Sequence, residues 1–145
     1  MVSEPSGSHQ TSPMVTQTQI PLPIFFQTPN ITPLISIKLD GTNYLQWVSQ
    51  FLPILRSYDL LSIVDGSEVC PDKHTIAGEK QVKNPEYVLW YKKDQLALSW
   101  IIATLTPNVL STVYGLNTSF QVWNSLATRY ASQSKSRIAH LKRQL

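Results

Sequence analysis

The sequence has 145 residues, enough for one hydrophobic core, and 42% of them are apolar, with four Trp, six Tyr and four Phe; that content excludes a wholly disordered chain. The net charge of +3 is unevenly placed: residues 1–37 carry only Glu4 and His9, residues 38–128 sum to −1, and residues 129–145 hold five cations and no acid, a pattern that bears on partners rather than on fold. A lone cysteine, Cys70, excludes an internal disulfide and a cysteine zinc cage, and no apolar run reaches the ~18 residues that span a bilayer.

The N-terminus has neither the basic start nor the apolar core of a signal peptide. The chain therefore reads as soluble and intracellular, with no membrane partner. Residues 1–30 are Ser, Thr, Gln and short apolar residues broken by Pro5, Pro13, Pro21, Pro23 and Pro29. Such a stretch buries too little surface to offset its ordering entropy, and a disordered tail is expected. In residues 31–39, Ile35, Ile37 and Leu39 alternate with Ser36 and Lys38, which predicts a short extended arm laid against the domain. No partner strand for it is evident in the sequence.

Asp40-Gly41-Thr42-Asn43 is a turn cluster, and a helix follows over about 44–58. Tyr44, Trp47, Val48, Phe51, Leu52, Leu55 and Tyr58 share one broad face. Pro53 falls opposite that face, where it either bends the helix or breaks it in two. Asp59 to Val64 reads as a helical turn ended by Asp65-Gly66. Residues 67–83 are polar and patternless and read as a long loop. Asn84-Pro85-Glu86 is a helix start, with an N-cap, a proline at the first position and an acid in the first turn. This helix is expected to reach about Leu105. Its second half is apolar on nearly every side, so it is the central buried helix, with Trp100 at its centre. Thr106-Pro107 restarts a short helix through Tyr114, and Gly115 caps it. Thr118 and Gln121 form a capping box for a helix through Tyr130, whose apolar face is Phe120, Trp123, Leu126, Ala127 and Tyr130. A last helix starts near Ser134, with Ile138, Leu141 and Leu145 at helical spacing, and it reads as cut short.

The expected fold is therefore all-α: a disordered tail (1–30), then a bundle of about five to six helices with its extended arm (31–133), then the start of a truncated basic amphipathic helix (134–145). Catalysis needs convergent groups, and none are spaced for it. His9, His74 and His140 lack partners, there is no phosphate loop or nucleophile elbow, and Cys70 with His74 sits on a loop without an acid–base scaffold. No catalytic residue, metal ligand, cofactor or small-molecule substrate is assigned. Asp94 shares the apolar face of its helix, so it needs a partner, and Arg56 and Arg129 are the expected ones. The four tryptophans sit within helical apolar stripes and read as core. Lys135, Arg137, Lys142 and Arg143 surround the Ile138, Leu141, Leu145 stripe. They are the candidates for weak contact with RNA phosphates, and the stripe is the candidate for self-association.

Taken in order, the segments L39-D-G-T-N-Y-L-Q-W47, F51-L-P-I-L-R-S-Y-D-L-L61, D65-G-S67, W90-Y-K-K-D-Q-L-A-L-S-W-I-I-A-T-L105, V122-W-N-S-L126 with R129-Y130, and S136-R-I-A-H-L-K-R-Q-L145 resemble the Gag polyproteins of copia-type long-terminal-repeat retrotransposons, in the version of plant elements. The resemblance covers about residues 31–145. It implies a non-enzymatic capsid protein that associates with copies of itself into cytoplasmic virus-like particles around the element's RNA. It also implies an all-helical, two-lobed capsid region of which this chain holds the first lobe, without the zinc knuckle found in many members. The alternatives are a nucleic-acid-binding module working through the basic C-terminal helix, and a domesticated Gag-derived adaptor that binds a protein partner.

Overall fold

The computed structural model describes residues 2, 3, 7 and 30–144, the side chains of Thr32 and of residues 134–138 excepted. The disorder expected of the tail falls almost wholly outside that range. The arm opens with a 3-10 turn at Thr32–Leu34. It buries Ile31, Ile35 and Leu39, while Ile37 is exposed. The burial period is four rather than two, so the expected inward placement of Ile37 is corrected. A strand partner exists after all: the Leu39 N–H donates to Thr104 O at 2.8 Å and Leu39 O accepts from Thr106 N–H at 3.0 Å, a parallel bridge to Leu105.

Helix α1, Tyr44–Ser57, buries Tyr44, Trp47, Phe51, Ile54 and Leu55. It runs through Pro53 without a break, with the proline on the exposed side. The missing proline N–H therefore opens a hydrogen bond where water can replace it. The helix ends in a Schellman motif: Asp59, at φ +55°, takes the left-handed position usually given to glycine. The Asp59 N–H then donates to Arg56 O at 3.1 Å, and the Leu60 N–H to Leu55 O at 2.8 Å. Leu60, fully buried, anchors the turn into the one-turn helix α2, Leu61–Val64. Gly66 follows at φ +81°, and a Cβ there would stand 2.8 Å from the Phe120 ring. Phe120, expected in the core, is exposed and lies over this glycine.

Residues 67–83 are more than a loop. Strand β1, His74–Ala77, pairs antiparallel with β2, Lys80–Lys83, in the register His74↔Lys83 to Ala77↔Lys80. The fold is mostly helical with a small sheet, and the all-α expectation is corrected accordingly. Every residue of both strands is exposed, so no buried face imposes the alternation by which a strand is recognised in sequence. Asn84 fastens the base of the hairpin: its N–H donates to Lys73 O at 2.9 Å and its Nδ2 to Asp72 O at 2.8 Å. Its Oδ1 accepts from the Glu86 N–H at 3.1 Å and so caps α3, Pro85–Ala103.

α3 buries Asp94, Ala97, Leu98, Trp100 and Ile101. Its end is set by Trp47, which is fully buried. Trp47 stacks at a tilt against Phe51 and Trp123, with ring centroids 5.2 and 5.5 Å away. The Trp47 indole N–H donates to Thr104 Oγ1 at 3.0 Å, and the Thr104 hydroxyl donates to Ile101 O at 2.8 Å. Leaving a buried donor of this kind unpaired costs ~1–3 kcal/mol, so the bond fixes where α1 meets the end of α3. Trp100 is also buried, edge-on to Tyr58 at 5.2 Å. Trp90 and Trp123 are only partly buried. A short helix α4, Pro107–Ser111, brings in Val109.

The last helix, α5, is Ser119–Arg143. It is one continuous helix where two were expected, because nothing in residues 131–134 breaks the 3.6-residue winding. The capping box is present, Thr118 accepting from the Gln121 N–H and the Gln121 side chain bonding back. Val122, Leu126 and Tyr130 are buried, with Trp123 and Ala127 packed beside them.

Candidate assembly and nucleic-acid surfaces

The seat of α5 depends on Asp94. Its Oδ1 accepts from the Ser119 N–H at 2.9 Å and from the Ser119 hydroxyl at 2.6 Å. Its Oδ2 accepts from Gln95 Nε2 at 3.0 Å, and the same Nε2 donates to Asn117 O at 3.1 Å. The expected pairing with Arg56 or Arg129 is corrected: both arginines are exposed, and the carboxylate is held by the first turn of α5. The free N–H groups and the positive dipole end of a helix can stabilise a buried carboxylate without a cation. The clamp joins the middle of α3 to the start of α5 and so fixes where α5 enters the core.

Beyond Ala131 the described side chains of the helix face solvent. Ser132, Gln133, Ala139, His140, Lys142, Arg143 and Gln144 are exposed. Leu141 is 58% exposed. Among the expected site residues, then, Leu141, Lys142 and Arg143 are exposed near the end of α5, next to His140, which is bonded to Gln144. Lys135, Arg137 and Ile138 are in the same helix, but their side chains, and the whole of Leu145, are outside the described residues. Whether the four cations and the three apolar residues share a face rests on helical spacing alone.

Two further surfaces escaped the sequence reading. One is the hairpin, with Ile76 79% exposed and Lys80 and Lys83 beside it. Near its base Lys73 Nζ lies 6.0 Å from the Tyr87 ring centroid, and Tyr87 stacks on Tyr91. The other is a groove of about 340 Å³ lined by Arg56, Asp59, Leu61, Ser62, Asp65 and Ser67. Asp65 Oδ1 in this groove accepts from the Ser67 N–H at 2.9 Å. The sequence signs that could have pointed to them are Gly78 between Thr75-Ile76 and Val82, and three acids (Asp59, Asp65, Glu68) within ten residues. Among the described residues no three His, Cys, Asp or Glu side chains cluster as metal ligands, and no helix is long and apolar enough to cross a membrane. Cys70 is exposed, its thiol donating to Pro71 O. At the foot of α1, burial pushes the Tyr44 phenol above its ordinary pKa.

Residues 53–145 match the family model described as gag-polypeptide of LTR copia-type. The chain is 31% identical over 108 residues, 74% of its length, to the retrovirus-related Pol polyprotein from transposon RE1 of Arabidopsis thaliana. It is 30% identical over 105 residues, 72% of its length, to that from transposon RE2 of the same plant. The chain spans 7% of the length of each of these polyproteins. No solved structure matches it significantly.

Proposed function

We propose, from the premise that the chain belongs to the gag-polypeptide family of copia-type LTR retrotransposons, that it is a capsid module whose work is self-association, toward cytoplasmic particles that enclose the element's RNA. The family is structural rather than catalytic. The helical body corresponds on this reading to the first lobe of a capsid protein. The observation that carries it is the end of α5, where the helix presents Leu141, 58% exposed, to solvent. The end of α5 is continuous with the docked part and needs no nucleus of its own, but an exposed leucine gains free energy on burial; pairing the Ile138, Leu141, Leu145 stripe with that of a second copy supplies that burial.

The test is sedimentation of the full chain. Wild-type protein is expected to form dimers as concentration rises toward millimolar, and Leu141→Lys with Leu145→Lys is expected to remain monomeric with an unchanged circular dichroism spectrum. Dimers that survive both changes would move the contact off α5. A second reading has its own observation, the exposed Lys142 and Arg143 with His140 in the last turn of α5. Cations so placed suit a phosphate backbone. Retention of single-stranded RNA that falls steeply with salt, and is lost in Lys142→Glu with Arg143→Glu, would support it.

A further inference from the structure

The hairpin has the marks of a surface made for a partner. Both its strands are exposed along their whole length, and its contacts with the helices are few beside those between the strands. An isolated two-stranded hairpin is marginal in water. This one nevertheless spends an isoleucine, Ile76, at 79% exposure. The register places His74, Ile76, Gln81 and Lys83 on one face, with Lys80 at the turn.

Charge separates in the same way. Residues 73–93, the hairpin and the start of α3, hold five lysines against two glutamates, a net of +3. Residues 38–72, which include α1, α2 and the groove, hold two cations against five acids, a net of −3. The groove offers the hairpin two acids, Asp59 and Asp65, against the one cation Arg56, and Leu61, partly buried, in its lining.

The two surfaces lie apart. The hairpin is fastened at Asn84, whereas Tyr58, next to Asp59, packs on Trp100; those anchor points on α3 are roughly 24 Å apart at 1.5 Å per residue. From this arrangement we infer that the hairpin of one copy docks in the Arg56–Ser67 groove of another, Ile76 against Leu61, with Lys83 of the same face toward Asp59 and Asp65 and Lys80, paired with Ala77 on the other face, at the rim of the contact. The inference rests on the assembly reading above and adds to it a second contact independent of α5. Hairpin and groove are different surfaces, so the contact is head-to-tail and repeats into rings or open chains.

The experiment is sedimentation velocity of the full chain carrying Leu141→Ser and Leu145→Ser, which take away two of the three residues of the α5 stripe without changing charge. This parent is expected to form oligomers that grow with concentration and dissolve as salt screens the contact. Lys80→Glu with Lys83→Glu, and separately Asp59→Lys with Asp65→Lys, should each sediment as monomers. An equimolar mixture of the two should associate again, since each reversed surface then meets its complement. Lys38→Glu with Arg129→Glu, the same change in net charge placed elsewhere, should behave like the parent. The hairpin variant changes only exposed side chains, so it keeps the test valid should the groove variant fail to fold.

An associating parent whose hairpin variant associates equally well overturns the docking and leaves α5 untouched. A parent that stays monomeric to millimolar overturns it too, and the α5 contact is then judged on the protein with both leucines. A hairpin variant that keeps its oligomers but loses retention of a 20-nucleotide oligouridine makes the hairpin a nucleic-acid face and overturns the inference in that direction.

Discussion

The surroundings of Trp47 and the 74–83 hairpin are the two extremes of this molecule. Around Trp47 each group answers to another: the indole to Thr104, its ring to Phe51 and Trp123, and Leu39 beside it to the backbone at 104–106. In the hairpin only the backbone is answered, and the side chains face solvent. Ordering a residue costs ~1–2 kcal/mol in backbone entropy alone, and the hairpin recovers little of that through burial. The difference teaches that one part of the sequence is constrained by folding and the other is constrained by it hardly at all.

The largest effect should come at the core end. Trp47→Ala is expected to lose ~3–5 kcal/mol, a large share of the ~5–15 kcal/mol available to a domain. Urea unfolding followed by far-ultraviolet circular dichroism measures it. A midpoint near that of the wild type would erase the contrast between core and hairpin.

How far the sequence anticipated this contrast depends on what each element answers to. α1, α3 and the start of α5 were legible because their burial follows a 3.6-residue period and their caps are local: Asn84 to Glu86, Thr118 to Gln121. The hairpin was illegible because both its faces meet water, leaving only weak propensity at Thr75, Ile76 and Val82. The arm lies against the domain as expected, but its period was misread: Ile31, Ile35 and Leu39 are buried and Ile37 is exposed. Of the candidate site, Leu141, Lys142 and Arg143 were proposed from spacing, and the structure shows them exposed on α5. The hairpin was missed because it lies within a stretch without periodicity, and the groove because it forms between the end of α1 and the turn after α2, a juxtaposition that no local pattern records. The partner of Asp94 was missed for another reason. Looking for cations overlooks a helix N-terminus, which has no signature in charge.

That clamp gives the intermediate prediction. Asp94→Ala leaves the Ser119 N–H and hydroxyl without their acceptor and should cost about 2–3 kcal/mol. Arg56→Ala and Arg129→Ala should stay within ~0.5 kcal/mol of wild type. A double-mutant cycle between Asp94→Ala and Ser119→Ala should show a coupling of at least ~0.5 kcal/mol. Zero coupling there, with a large loss at either arginine, would restore the ion-pair reading and place α5 differently.

The smallest effect belongs to the hairpin. Ile76→Ser should change global stability by less than ~0.5 kcal/mol. Amide exchange in Thr75–Ala77 and Gln81–Lys83 should also proceed by local opening, well below the free energy needed to expose Ile101 in the core. A drop in the urea midpoint comparable to that of a core truncation would show that the hairpin belongs to the folding unit.

The unbroken course of α5 has a mechanical consequence. A helix resists twisting as well as bending, and each residue advances it by about 100° and 1.5 Å. The azimuth of Leu141 is therefore referenced, turn by turn, to the hold of Asp94 on Ser119 and to the packing of Tyr130. With neither glycine nor proline in residues 119–143, the helix has no swivel at which that reference could be lost. A body seated on its free end inherits the orientation of the core, and the angle between neighbours becomes a stiff, inherited quantity rather than a free one. The curvature of any shell built through α5 is thus set inside each subunit, before two of them meet.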